Sequence, residues 1–517
     1  MGKKLHTKLT SLAVALAFGV GSAQADERAE LETLRQTTLN LIQILVQQGV
    51  LTQEKSDLLI KQAEVKARET VAAQKKAEAG VVRVQFVPES VKKQITEQVR
   101  EEVVAQAKME RWGDANAVPE WVDRFKLTGD IRMGYQGDRF AEGNAPEFFQ
   151  QVQGQNVSNT TEDRNRLRLR ARLGVSAKIT PDISANLRLA TGGLTDPVST
   201  NQTLGQNNNK YSFVLDRAFV KARSDEVLPW LTVSAGRIPN PWFSSDLVWD
   251  DDLNFEGIAL HIDPNVQTTR AWRPFATLGA FPLQEIEQSG TVKAKSKWLV
   301  GAQVGLEWVP STKTRAKLGL AYYDYRNISG ERNEFGQVAF NGTAANTRQK
   351  GNTLFNIDND GVTTTNLYAL AADYQLLNLT GMVDLAVFNP VHVMLSGDYV
   401  KNIGFSRSKT LERSGIDLEP QTRGYMARLA VGMPDMLLKN DWQVSVAYRY
   451  LEADAVLDAF TDSDFHLGGT NNKGFILGAQ YGLSKNTWLS ARWLSSNEIR
   501  GLPLSVDVFQ LYFNAKF

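Results

Sequence analysis

Arginine occupies every second position in part of the segment RNRLRLRARLGVSAKI, at Arg166, Arg168, Arg170 and Arg172. Alternate side chains of a β-strand point to the same face, so these guanidinium groups would form a row with a spacing of ~6.6 Å. Arg188, on the strand predicted next, joins this row. Adjacent like charges repel, which a packed core does not tolerate and a water-filled channel screens. The spacing therefore predicts the arginine-lined wall of a pore. The alternative is a row of exterior arginines near lipid headgroups, where long basic side chains also collect.

Carboxylates that could face this row are concentrated in the segment 238–254, which contains Asp246, Asp250, Asp251 and Asp252 among aromatic residues. A carboxylate cluster opposite a guanidinium row would set an electric field across the space between them and orient charged solutes as they pass. These four aspartates are therefore candidate partners of the arginine row. The alternative is a solvated surface loop in which they have no specific role.

The elements that would position these residues are strands. From Phe125 onward, segments with alternating apolar and polar side chains follow one another, as in a membrane barrel. They predict about sixteen antiparallel strands, at 125–135, 164–179, 183–191, 213–223, 230–237, 255–263, 272–280, 297–309, 313–325, 366–376, 391–401, 422–432, 441–451, 473–482, 487–496 and 508–517. Long connections follow odd-numbered strands and short ones follow even-numbered strands, as a barrel with outer loops and periplasmic turns requires. The connection 377–390 is long and apolar, which leaves a count of eighteen open.

The last strand alternates as clearly as the arginine strand. In VFQLYFNAKF, one face carries Phe509, Leu511, Phe513 and Phe517. Aromatic residues also end several other strands, at Tyr322, Tyr323, Tyr325, Tyr448, Tyr450, Trp488 and Trp493, which is typical of the girdles of a membrane barrel. The sequence therefore predicts an all-β transmembrane barrel over residues 119–517.

The first 25 residues have the features of a signal peptide. Three lysines precede the short apolar run LAVALAFGV, and AQA before Asp26 offers small residues for cleavage. Without those lysines the formal net charge changes from +1 to −2, so no strong attraction to nucleic acid is expected. Cysteine is absent, which excludes disulfides and thiolate metal sites.

Residues 26–118 differ in composition from the barrel. They are rich in Gln, Glu, Lys, Ala and Val, and apolar residues recur at steps of three and four, as in Leu31, Leu34, Leu41 and Leu45. This pattern predicts a helical, coiled-coil-like periplasmic segment. Its apolar stripes indicate either self-association and docking of helices or a solvated hairpin that spaces the barrel from something else.

Three segments carry a family resemblance: LIQILVQQGVLTQEKSDLLIKQAE, PEWVDRFKLTGDIRMGYQ and GRIPNPWFSSDLVWDDDLNFEGIAL. Together they resemble the putative porin family of Gram-negative outer membranes, from the signal peptide to the last residue. The arginine strand and helical prefix also resemble, more loosely, those of phosphate-selective porins. The resemblance implies that the terminal strand ending in Phe517 is the signal read by the barrel assembly machinery. In general porins the third outer loop folds into the barrel and narrows it, and by this analogy Asp246, Asp250, Asp251 and Asp252 would belong to a constriction loop.

Two functions from different classes follow. The first is a porin, a passive diffusion channel for small hydrophilic solutes or ions, whose selectivity is shaped by the arginine wall and the acidic third loop. The second is a structural envelope tether, in which the barrel anchors a helical segment that contacts the cell wall or other periplasmic partners. Either would lie in the outer membrane against lipid and lipopolysaccharide, and analogy with general porins suggests a homotrimer.

Catalytic chemistry has little support in the sequence. Outside the signal peptide the histidines are His261, His392 and His466, and none is in a recognisable nucleophile motif. The segment NIDNDG begins like a calcium loop, but Leu367 stands where that loop needs a bidentate glutamate. We therefore expect no enzyme activity, no cofactor and no metal site.

Overall fold

The computed structural model describes residues 124–264, 270–362 and 365–517, together with Lys61 and Lys66, which are exposed helical residues. The chain divides into two units at Ala117, and the second, Val118–Phe517, contains nearly all of the described residues. The predicted signal peptide, 1–25, and the predicted periplasmic segment, 26–118, lie outside the described residues apart from those two lysines. Within the described part, no helix combines the length and the hydropathy that a membrane span needs.

Sixteen long strands of the described residues form one closed antiparallel barrel. The ring is closed because β1 pairs with β2 on one side and with β16 on the other. The strands are β1 (Phe125–Phe140), β2 (Arg164–Lys178), β3 (Ile183–Ala190), β4 (Val214–Ala222), β5 (Leu231–Pro239), β6 (Asn254–Ile262), β7 (Trp272–Gln284), β8 (Lys297–Ser311), β9 (Thr314–Arg326), β10 (Tyr374–Phe388), β11 (Val391–Asn402), β12 (Arg423–Gly432), β13 (Trp442–Leu451), β14 (Asn472–Ser484), β15 (Thr487–Glu498) and β16 (Ser505–Lys516). The predicted closed barrel of sixteen strands is confirmed.

Long and short connections alternate around the ring. The long ones are L1 (141–163), L2 (191–213), L3 (240–253), L4 (285–296), L5 (327–373), L6 (403–422), L7 (452–471) and L8 (499–504), and all lie at one end of the barrel. They contain helices α1 (Glu147–Gln151) and α2 (Arg407–Ser414), the 3-10 turns Asn341–Thr343, Asp458–Phe460 and Phe465–Leu467, and the short strands Gln202–Thr203, Leu354–Asn356 and Tyr368–Leu370.

The prediction for the tenth strand is wrong. It was expected at 366–376, but β10 covers Tyr374–Phe388 and therefore contains most of the apolar segment 377–390. This segment is a strand because its leucines alternate with polar residues: Leu377 and Leu379 are exposed on the outer face, whereas Asn378 is buried on the inner face. The residues 368–370 instead form a short strand of L5 that pairs with Leu354–Asn356.

The two faces of the barrel differ as a membrane barrel requires. On β16, Phe509, Leu511 and Phe513 are 40–44% exposed, whereas Gln510 is fully buried and Tyr512 is 4% exposed. The apolar face of the terminal strand therefore points outward, towards lipid, and the mixed face points into the barrel.

Part of the barrel interior is filled by apolar side chains. The largest buried cluster joins Trp242, Trp249 and Leu253 of L3 to inward residues of β6 to β10, among them Phe255, Phe281, Leu299, Tyr323, Tyr325 and Tyr374. Tyr323 and Tyr325 therefore belong to this interior cluster and not to an outer aromatic girdle, whereas Tyr322 between them is 39% exposed on the outside. The cluster extends to L2, L7 and β11 to β13, and Phe219 of β4 packs against it, but none of its buried members lies on β1, β2 or β3.

Candidate functional site

L3 lies inside the barrel. The backbone N–H of Phe243 donates to Gln303 Oε1 of β8 at 2.9 Å, and Ser245 Oγ donates to Asp398 Oδ2 of β11 at 2.6 Å. At its other end, Asp252 Oδ1 accepts a hydrogen bond from Arg172 Nη1 of β2 at 3.0 Å. These strands are widely separated around the ring, so a loop that contacts all of them has to cross the interior.

Aromatic packing explains why L3 adopts this path. The Trp242 ring lies 5.1 Å from the Tyr323 ring and 6.1 Å from the Phe281 ring, both in edge-to-face geometry. It fits over Gly301 of β8, where an added Cβ would lie 2.8 Å from the indole. Trp249 packs in the same way on Tyr323 and Phe255, with ring centroids 5.1 and 5.0 Å apart. Burying two tryptophans stabilises the inward loop by several kcal/mol, at ~25 cal/mol per Å² and ~150–250 Å² each.

The arginines predicted to line a pore lie on the inner face of the barrel. Arg166, Arg168, Arg170 and Arg172 are half-buried along β2, whereas Leu167 between them is 58% exposed on the outside. The alternative of an exterior row is therefore inconsistent with their placement. Arg188 of β3 lies on the same inner surface and forms an ion pair with Asp216 of β4.

Most of these arginines have carboxylate partners that the sequence analysis missed. Asp138 of β1 pairs with Arg166 at 2.6 Å, and Asp130 of β1 pairs with Arg170 at 2.9 Å and with Arg172 at 2.7 Å. The polar residues that alternate along GDIRMGYQGD on β1 indicated that carboxylates lie on the inner face. Assigning each ion pair also required the strand register, which sets Asp130 opposite Arg172.

Arg168 differs from its neighbours. Its Nη1 donates to Oε1 of the neutral Gln136 at 2.9 Å. Among the described ion pairs within 4.0 Å, none includes Arg168. Its positive charge is therefore less compensated at short range than that of Arg166 or Arg170.

The four aspartates of L3 occupy different environments. Asp252 pairs with Arg172 at 3.0 Å and lies 3.8 Å from Arg170. Burial alone would raise the pKa of Asp252, but Arg170 and Arg172 outweigh it and lower that pKa below its usual value. Asp252 thus contacts the arginine row directly and does not face it across open space.

The other three L3 aspartates do not contact the arginine row. Asp250 is buried and accepts hydrogen bonds from the backbone N–H groups of Asp252 and Ser463, and burial followed by the nearby charge of Asp462 raises its pKa. Asp246 is half-buried and its backbone oxygen accepts from the N–H of Asp462 at 3.2 Å. Asp251 is exposed.

L7 is a second inward loop, and its position was not predicted from the sequence. Its Asp462 pairs with Arg449 of β13 at 3.4 Å, and its Asp464 pairs with Arg492 of β15 at 3.0 Å. L7 is joined to L3 by a hydrogen bond from Asp250 N to Phe460 O at 2.9 Å. The signal was present in the acidic, apolar stretch ADAVLDAFTDSDFHL, which faces two arginines at inward strand positions.

L2 and L5 complete this assembly of loops. Ser463 Oγ of L7 donates to Val198 O of L2 at 3.0 Å, and Asn352 Nδ2 of L5 donates to Ala453 O of L7 at 2.6 Å. The cavities between these loops and the strand ends include one of about 720 Å³ and one of about 410 Å³. The smaller one lies at the L1 end of the arginine row and includes Arg166 and Arg168 in its wall.

Comparison with known proteins gives the family. The model of the putative porin family matches residues 35–517. Similar solved structures include OprB of Pseudomonas putida (13% identity, TM-score 0.46, covering 78% of this chain and 97% of that one), the outer-membrane channel DcaP of Acinetobacter baumannii (10%, 0.40, 76% and 97%) and an anion-selective porin from Comamonas acidovorans (12%, 0.40, 76% and 99%). No curated protein matches the chain. The chain belongs to the putative porin family of outer-membrane β-barrels.

Proposed function

We propose that this protein is a passive diffusion channel for small hydrophilic solutes or ions, whose selectivity is set by the inward arginine row of β2. The observation that carries the proposal is the position of four guanidinium groups on one inner wall, with polar partners along its length. A row of like charges of this kind is stable where water and counter-charges screen it.

The loops then define the narrow part of the path. L3 packs against the β6–β10 side, and L7 joins it from the β13–β15 side. A solute entering from the long-loop end therefore passes along the wall of β1 to β4. Guanidinium groups bind carboxylate and phosphate oxygens through paired N–H donors, so this wall favours anionic solutes over cations of the same size.

The test is the reversal potential of the reconstituted channel across a salt gradient. The variant Arg168→Gln/Arg170→Gln removes two positive charges and leaves Arg172 as the remaining ion-pair partner of both Asp130 and Asp252, so its reversal potential should shift towards cation preference. The matched control is Arg326→Gln/Arg407→Gln, which removes two exposed, paired arginines outside the row. Equal reversal potentials in the two variants would contradict the lining role of Arg168 and Arg170.

We also propose that Phe509, Leu511, Phe513 and Phe517 form the signal recognised by the barrel assembly machinery. This proposal is supported by the exposure of Phe509, Leu511 and Phe513 on the outer face of β16 and of Phe517 directly after it. Phe517→Ser should lower the amount of heat-modifiable barrel in outer membranes, whereas Lys516→Ser, at the neighbouring position, should not. Equal barrel yields would exclude a special role for the terminal ring.

A further inference from the structure

We propose that the cavity of about 410 Å³ at the L1 end of the arginine row is a binding site for a multivalent oxyanion, that is, a polycarboxylate or a polyphosphate. This inference rests on the proposed channel function for its role, but the site itself is defined by its own residues. Its volume is within the range of ~300–1,000 Å³ that is usual for small-molecule sites.

Cations line the cavity from two separate parts of the chain. Arg164, Arg166 and Arg168 contribute from β2, and Arg348 and Lys350 contribute from L5. A ligand with a single charged group can contact neighbouring cations on one of these two segments, as Asp130 contacts both Arg170 and Arg172. A ligand with several charged oxygens can bridge β2 and L5, which is why the site favours multivalent anions.

Acidic residues in the wall do not cancel these charges. Asp138 is already paired with Arg166 at 2.6 Å, and Asp464 is paired at 3.0 Å with Arg492, which lies outside the cavity lining. Asp196 is the remaining carboxylate of the lining and is exposed. Lys350 lies 3.9 Å from Glu498, which is outside the lining. The charge of Asp196 therefore opposes those of Arg164, Arg168 and Arg348, so the cavity keeps an excess of positive charge.

Lys350 is the second observation that points to a ligand. Its side chain is 3% exposed, and its ammonium group makes no hydrogen bond in the described structure. The nearest carboxylate, Glu498, is 3.9 Å away and also accepts a hydrogen bond from His466 Nε2 at 2.8 Å. A buried ammonium group without a hydrogen-bond acceptor is costly, and an anion in the cavity would supply one.

Arg348 is held ready for the same ligand. Its Nε donates to Gly154 O at 3.0 Å and its Nη1 donates to Ala345 O at 2.8 Å. These bonds join L1 and L5 and fix the direction of the guanidinium plane without neutralising its charge. A guanidinium group held in this way binds an oxyanion with little further loss of side-chain freedom.

The test is calorimetric titration of the detergent-solubilised full chain with citrate and, separately, with inorganic triphosphate at constant ionic strength. Binding of either one by the wild type is expected, and the tighter of the two identifies the carboxylate or the phosphate source. In Arg348→Gln/Lys350→Gln the affinity should fall at least about tenfold, as expected for lost hydrogen bonds to charged groups. Arg164→Gln, which changes an exposed residue of the cavity wall, should also weaken binding. It provides a second test of the site if the L5 variant does not fold.

The matched control is Lys297→Gln. Lys297 is 4% exposed and donates to Ala344 O of L5 at 2.6 Å, but it lines the larger cavity. Its variant should bind both anions as the wild type does. Absence of binding to the wild type, or equal affinity in all variants, would overturn the proposed site. Because the titration does not depend on ion flow, a protein that binds the anions but carries no current would refute the channel and leave the site standing.

Discussion

Ser245→Ala should loosen L3 without unfolding the barrel. Asp398 is 5% exposed and accepts hydrogen bonds from Ser245 Oγ at 2.6 Å, from the Ser245 N–H at 3.1 Å and from Thr380 Oγ1 at 3.2 Å. The substitution removes the bond from Ser245 Oγ and keeps the bond from the Ser245 backbone N–H. A hydrogen bond to a carboxylate contributes ~1.5–3 kcal/mol, so the population with L3 displaced should rise roughly tenfold to a hundredfold. Trp242 and Trp249 remain buried, so the inward loop stays the major state.

Single-channel recording in planar bilayers measures this population as the fraction of time in a higher-conductance substate. The matched control is Ser244→Ala, because Ser244 Oγ only accepts a weak hydrogen bond from Asn240 Nδ2 at 3.4 Å. The higher substate should be frequent in Ser245→Ala and rare in both Ser244→Ala and the wild type. The same substate occupancy in both variants would refute the assignment of Asp398 as the anchor of L3.

Two further predictions concern the loops and the barrel seam. Burial raises the pKa of Asp458 to about 7, and burial together with repulsion from Asp246 raises that of Asp462 to about 6, both from 3.8. Both carboxylates are protonated more easily in the packed L7 than in water, so the packed loops gain stability as pH falls from 7 to 4. The occupancy of low-conductance states should therefore rise over this range, and Asp458→Asn should make the rise smaller. The same pH profile in Asp458→Asn and in the wild type would contradict the role of Asp458. Where β1 pairs with β16, a Cβ on Gly134 would lie 1.9 Å from a backbone oxygen of β16. Gly134→Ala should therefore lower the free energy of unfolding by ~1–3 kcal/mol or more and lower the unfolding temperature of the barrel. In the control Gly143→Ala the added Cβ meets nothing within 4 Å, so the unfolding temperature should not change.

The sequence was most informative where period-two alternation was strict. In β2 the arginines alternate with Leu167 and its apolar neighbours, and in β16 the outward rings alternate with Gln510 and Asn514, so the inner and outer faces could be assigned from side-chain type alone. The tenth strand was misplaced because L5 contains its own short strand at Tyr368–Leu370, directly before β10.

The charge pairs of the interior could not be predicted in the same way. Asp130 and Arg172 are 42 residues apart, and their contact depends on the register between β1 and β2. The contacts of Asp464 with Arg492 and of Asp250 with Phe460 depend on how L7 folds back into the ring. Such contacts depend on the three-dimensional packing of long loops, whose sequences show no periodic pattern of apolar and polar residues from which the contacts could be predicted.

The proposed channel requires a water-filled path through the barrel along the arginine row of β2. The current carried by single molecules of the purified full chain in a planar bilayer tests for this path, with folding and insertion verified independently by heat-modifiable gel mobility. Discrete, reproducible conductance steps in salt solution are expected. A correctly folded and inserted barrel that carries no current would contradict the proposed channel.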